Sequence, residues 1–190
     1  MQRRSFIFLC AAAVFGVVAT IVLYLVDDMR RRALTAEISP NALVAGNLET
    51  VVFSPQANRE VVRSVVARLA EYRGPTNGLF LNDRELDAQI IEALGTMTRL
   101  KSLCLARTNL TDSDLQHFRR LRKLRTLTLT ETKVSDVGLQ YLKPLTSLRE
   151  LHVEATEVTE EGLLQLKKVL PDMDVDDSLR YIRSKTKSSK

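Results

Sequence analysis

Between residues 79 and 169 the chain repeats itself at a fixed interval of 24. Leu79, Leu103, Leu127 and Leu151 share one column, and Leu81, Leu105, Leu129 and Val153 share the next. Leu86, Leu110, Val134 and Val158 follow, then Ile91, Leu115, Leu139 and Leu163. Leu94, Phe118, Leu142 and Leu166 make a fifth column, and Met97, Leu121, Leu145 and Val169 close each unit. A unit of this length cannot enclose a core alone, so neighbours must stack and bury a shared interior. The absence of Trp fits a core made of Leu and Val rather than of large rings.

The spacing inside a unit gives its shape. Leu127 and Leu129 alternate, which predicts a short strand with both side chains on one face. Leu139 and Leu142 lie three apart, which suits one face of a short helix. Asp87, Thr111, Ser135 and Thr159 precede these helices and are placed to cap them. Asp112, Asp136 and Glu160 come next, where negative charge favours the helix dipole. Thr108, Thr132 and Thr156 stand just after the strands, where a hydroxyl can bond the turning backbone.

The stretches LKSLCLARTNLTDSDLQHF, LRTLTLTETKVSDVGLQYL and LRELHVEATEVTEEGLLQL resemble the leucine-rich-repeat family, in the bacterial variant LxxLxLxxTxVTDxGLxxL. The resemblance covers about half of the chain. It departs from the commonest form in carrying Thr rather than Asn after the strand, and the first unit has Arg84 there. The resemblance implies an α/β fold: a short solenoid of about four units over 76–175. A parallel sheet would line its concave side and short helices its convex side.

Before the repeats, residues 49–75 read as a capping strand and helix. Val51 to Phe53 form the strand, Ser54-Pro55 starts the helix, and Val62, Val65, Val66, Leu69 and Tyr72 make its apolar stripe. Gly74-Pro75 ends it. Leu170-Pro171 stops the last repeat helix, and Met173 and Val175 are candidates for a closing strand. Residues 27–48 read as a linker, and 176–190 as a basic, disordered tail.

Residues 5–26 contain no charged side chain. A bilayer core of ~30 Å needs about 20 such residues in a helix, so this run is expected to be a retained transmembrane anchor behind the basic residues 1–4. A cleaved export signal is the competing reading, but such signals have an apolar region of about 7–15 residues. Arg3-Arg4 also resembles a twin-arginine export motif. The expected location is a bacterial cytoplasmic membrane, with the N-terminus inside and the repeats outside.

The net charge of +5 resides at the two ends. Residues 1–4 carry two arginines, and 176–190 carry five basic and two acidic residues, which leaves 21 of each sign over 27–175. A neutral body offers no footprint for nucleic acid. The two cysteines, Cys10 and Cys104, have no metal-ligand spacing, and neither metal nor cofactor is expected.

Two surfaces are candidates for binding. On the concave sheet, Phe80, Cys104, Thr128 and His152 form one column, flanked by Gly78, Ser102, Thr126 and Glu150 and by Asn82, Ala106, Thr130 and Glu154. Solenoid sheets are extended and rigid and suit a protein or peptide partner. Phe80 is the strongest anchor there unless the N-terminal cap covers it. Cys104 and His152 lie two strands apart at ~4.8 Å per strand, too far for a catalytic pair. His117 falls on the helical side. The second surface is a basic rim of Arg119, Arg120, Arg122, Lys123 and Arg125, suited to headgroups or an acidic partner. Helix dipoles alone would also favour basic residues there.

The expected function is therefore a membrane-anchored, non-catalytic interaction module. A structural spacer of the cell envelope is the first alternative, and an enzyme or its accessory subunit the second.

Overall fold

The computed structural model describes residues 29, 32–33, 42–45, 49–54, 57–72, 74 and 76–188. The apolar run 5–26 lies outside them. Among the described residues no helix is long and apolar enough to cross a membrane.

Six strands form one sheet in chain order: β1 (Ala42–Ala45), β2 (Thr50–Phe53), β3 (Gly78–Phe80), β4 (Ser102–Cys104), β5 (Thr126–Thr128) and β6 (Glu150–His152). β1 runs antiparallel to β2, and every later pair is parallel. The register equals the sequence period, so Leu79, Leu103, Leu127 and Leu151 stand side by side. All four are at most 1% exposed, so the strand phase matches the alternation. The solenoid core also includes Leu100, Leu124 and Leu148, the leading leucines of the motif.

Each of the strands β3–β6 is followed by the same sharp turn. Asp83, Arg107, Glu131 and Ala155 adopt φ of 59°, 54°, 56° and 54°, a left-handed conformation costly for residues with a Cβ. The surroundings hold it in place. The Asp83, Arg107 and Glu131 N–H groups donate to the next unit's Ala106, Thr130 and Glu154 carbonyls at 2.9–3.0 Å. The Thr108, Thr132 and Thr156 hydroxyls donate back to the Leu105, Leu129 and Val153 carbonyls at 2.8, 2.6 and 2.6 Å. A side-chain hydroxyl at this position closes the turn.

The helical layer is less regular than the sheet. Ala88–Thr96 and Glu160–Val169 are α-helices, Asp112–Arg120 is a 3₁₀ helix, and Asp136–Leu139 is α before a 3₁₀ turn at Gln140–Leu142. Leu115, Phe118 and Leu121 lie three apart, the period of a 3₁₀ helix, and all three are fully buried. The last helix runs one residue further along its unit than Ala88–Thr96 does, and its third inward position moves on by one residue with it. Leu170 is 4% exposed there and Val169 50%, so the closing column runs through Leu170 and not Val169.

Both flanks differ from expectation. The N-terminal helix begins at Arg59 with the Asn58 side chain as its cap, four residues later than Ser54-Pro55 would place it. Part of the 27–48 linker is strand β1, which adds an antiparallel edge. Residues 176–190 are not a disordered tail over their described length: Asp176–Ser188 is a helix. It closes the open end of the solenoid. The Ser178 hydroxyl accepts the Val153 N–H at 3.1 Å, and Leu179 is 8% exposed. Polar composition conceals this helix because only a narrow face, with Ser178, Leu179 and Ile182, turns inward. Met173 and Val175 are buried beside it, and a single parallel bridge joins Asp174 to Glu150.

The divergent first unit is explained by the cap. Arg84 takes the place of the threonine and reaches backward. Its guanidinium donates to the Ser54 carbonyl at 3.1 Å and to the Asn82 carbonyl at 3.2 Å, over the Phe53 ring at 5.7 Å.

Candidate interaction surface

The alternation that buries Leu79, Leu103, Leu127 and Leu151 turns their neighbours the other way. Phe80, Cys104, Thr128 and His152 therefore line up across β3–β6, each half-buried, with pairing partners directly adjacent. Val52 precedes them in register on β2 and is 37% exposed. The column thus starts apolar, at Val52 and Phe80, and ends polar, at Thr128 and His152. The cap leaves Phe80 half-buried and does not cover it.

The flanking columns are more self-contained. The Thr126 hydroxyl donates to Glu150 at 3.2 Å, and the Thr130 hydroxyl donates to Glu154 at 2.8 Å. Asn82 accepts the Ala106 N–H at 3.3 Å, and Ala106 is buried. Asn82, Thr130 and Glu154 thus link neighbouring units as well as facing outward.

Glu154 sits at the junction of sheet and C-terminal helix. Ser178 donates to its Oε1 at 2.7 Å, and His152 Nδ1 lies 3.8 Å from the same oxygen. Burial alone would raise its pKa. The bonds from Ser178, its own backbone and Thr130, together with His152, outweigh that and hold the carboxyl below its usual value. An acid therefore stands beside the imidazole: Glu154 lies two residues past His152, just beyond the end of β6. Cys104 remains separated from His152 by Thr128 on β5.

A charged chain runs along the turns at the edge of this face. Arg107 pairs with Asp83 in the preceding unit and approaches Glu131 in the following one at 3.8 Å. The hydrogen bond from Arg107 holds the Asp83 carboxyl below its usual value.

Arg119, Arg120, Arg122, Lys123 and Arg125 are all exposed. Arg119 and Arg120 end the Asp112–Arg120 helix, and Arg122, Lys123 and Arg125 lead from it to β5, so none of them joins the Phe80–His152 column. His117 is exposed on the same helical side. Among the described residues no group of His, Cys, Asp and Glu is arranged to hold a metal ion.

No protein-family model matches the chain, and no curated protein matches it. Among solved structures it is similar to an internalin C2 from Listeria monocytogenes, at 20% identity and a TM-score of 0.48, covering 63% of this chain and 55% of that one. It is also similar to an internalin (inlF) from the same organism, at 13% identity and a TM-score of 0.34, covering 65% of this chain and 45% of that one. The chain spans about half the length of these two proteins.

Proposed function

We propose that the chain is a membrane-anchored leucine-rich-repeat module that binds a protein or peptide partner on its open sheet face and performs no chemistry itself. The observation that carries this reading is the column Val52, Phe80, Cys104, Thr128 and His152. Its backbone is fixed by the parallel ladder and its side chains are left partly open to solvent. A surface already rigid before binding loses little entropy when a partner docks. An apolar start and a polar end suit an extended segment with an apolar residue at one end.

The anchor rests on residues 5–26, which are long enough and uncharged enough to span a bilayer. The repeats are proposed to lie on the extracytoplasmic side of a bacterial cytoplasmic membrane, by analogy with short basic N-termini that stay inside. A spacer role is the second reading. It is favoured by the Thr126–Glu150 and Thr130–Glu154 bonds, which satisfy part of the sheet face internally.

Two experiments test the proposal. Carbonate extraction of cell membranes should leave the full-length protein in the pellet with its N-terminal residues intact. A soluble product beginning beyond Val26 would remove the anchor. Tagged full-length protein, extracted in mild detergent, should capture a specific protein that Thr128→Arg loses and Gln140→Arg, on the helical side, retains. The same proteins captured by both variants would favour the spacer.

A further inference from the structure

Arg119, Arg120 and Arg122 line a groove of about 640 Å³ on the helical side, and among the described residues none of the three has a carboxylate partner. Elsewhere arginines are matched to acids across units: Arg63 to Asp87, Arg107 to Asp83, Arg149 to Asp172 and Arg183 to Glu160. Three successive units build the groove. Gly95 comes from the first, the arginines and His117 from the second, and Pro144 from the third. Gly95 sets how closely the walls approach, because a Cβ there would lie 2.6 Å from the His117 carbonyl oxygen. Among the described residues Glu92 is the only carboxylate on the wall, and it forms no ion pair with the arginines.

Helix dipoles do not account for this concentration. The last turns of Ala88–Thr96 and Asp136–Leu139 contain no basic residue, and that of Glu160–Val169 has two lysines. Asp112–Arg120 has His117, Arg119 and Arg120, with Arg122, Lys123 and Arg125 beyond it, against Arg99 and Lys101 beyond Ala88–Thr96 and Lys143 beyond Gln140–Leu142. A dipole acts alike at each helix end and would spread basic residues evenly among them. The groove gathers three exposed guanidinium groups that, among the described residues, no carboxylate neutralises. Their planar, multiply donating forks match the oxygens of a phosphate group.

We propose that this groove is a binding site for a phosphate group, carried either by a free anion or by an anionic phospholipid headgroup. The site is separate from the Phe80–His152 column and does not depend on what that column binds.

The test uses the full chain in neutral detergent micelles and follows the arginine side-chain N–H and His117 ring signals by NMR. Sodium phosphate is titrated against sodium chloride at constant ionic strength. In parallel, micelles are supplemented with phosphatidylglycerol or with phosphatidylcholine. The expected result is a saturable shift at Arg119, Arg120 and Arg122 with phosphate and not with chloride. Arg120→Gln with Arg122→Gln should weaken it about tenfold or more, with amide signals elsewhere unchanged. Arg180→Gln should leave it intact. A matching shift with phosphatidylglycerol alone identifies the headgroup as a source, whereas a response only to phosphate identifies the free anion. Equal, non-saturating shifts with phosphate and chloride, or an unchanged affinity in the double variant, would overturn the proposal.

Discussion

Asp112 of one repeat caps the helix of the next through Ser135, accepting its backbone N–H at 2.7 Å and its hydroxyl at 2.6 Å. The same carboxylate accepts the Gly138 N–H at 3.0 Å. Asp136 repeats the relationship with Thr159, at 2.9 and 2.7 Å. Glu160 occupies the corresponding place in the last unit, and its partner is Arg183 of the C-terminal helix. The ladder begins only at the second unit because Ala88 has no carboxylate to offer. There Asp114 stands where later units have glycine, and it caps Thr111 within its own helix at 2.8 Å. The glycines are thus a steric counterpart of the aspartates: a Cβ on Gly138 would sit 2.4 Å from Asp112 Oδ1 and 2.9 Å from Leu115 Cδ1.

This pairing gives a coupling prediction. Asp112→Ala should cost about 1–2 kcal/mol through the lost cap. Gly138→Ala should cost about 1–3 kcal/mol through overpacking, less a little for better helix propensity. Combining them should cost less than the sum by at least about 0.5 kcal/mol, because the first removes the atom that the second strikes. Denaturant melts of the four proteins measure this; simple additivity would mean that another neighbour excludes the methyl group.

The strand phase gives a second prediction. Leu127 is fully buried and Thr128, beside it, is half-exposed. Leu127→Ala should cost ~2–5 kcal/mol and Thr128→Ala less than about 0.5 kcal/mol. Neighbouring units share the Leu127 cavity, so the first variant should also lower the cooperativity of unfolding. Equal losses in denaturant melts would contradict the assignment of faces.

The C-terminal helix gives a third. Ending the chain at Val175 would expose Leu151 and Val153, both 1% exposed, and leave the Val153 N–H without Ser178. The expected loss is about 2 kcal/mol or more. Unchanged melts after removal of 176–190 would show that the helix contributes no capping.

A fourth concerns pH. The folded-state pKa of Glu154 is depressed, so its contribution is complete above the unfolded carboxylate value of about 4.3 and is lost as pH falls through the folded value. The wild type should therefore lose stability between about pH 5 and pH 3 more steeply than Glu154→Gln. Parallel slopes in urea titrations over that range would contradict the role assigned to Ser178 and Thr130.

Columns of one residue type are legible in the amino-acid order alone. The leucines, the post-strand threonines and the capping positions each recur at 24 and each have a single physical use. Relations between units are harder to read. Asp112 and Gly138 are 26 residues apart, and a helix dipole is reason enough for an aspartate at the first position of a helix. Helix type is hidden because a spacing of three, as in Leu115, Phe118 and Leu121, fits either an α or a 3₁₀ helix. The C-terminal helix escapes the pattern because its polar composition outweighs its narrow inward face. The open sheet column follows residue by residue from the period, but its apolar extension to Val52 does not, because Val52 lies outside the repeat.

The most direct test of the central claim is site-specific photo-crosslinking in intact cells. A photoreactive residue replaces Thr128 on the open sheet face in one version of the full-length protein and Val137 on the helical side in another; Val137 is 63% exposed. The account predicts a discrete crosslinked protein from position 128 that is absent from position 137. No crosslink at 128, or the same products from both positions, would contradict a partner-binding role for the sheet face.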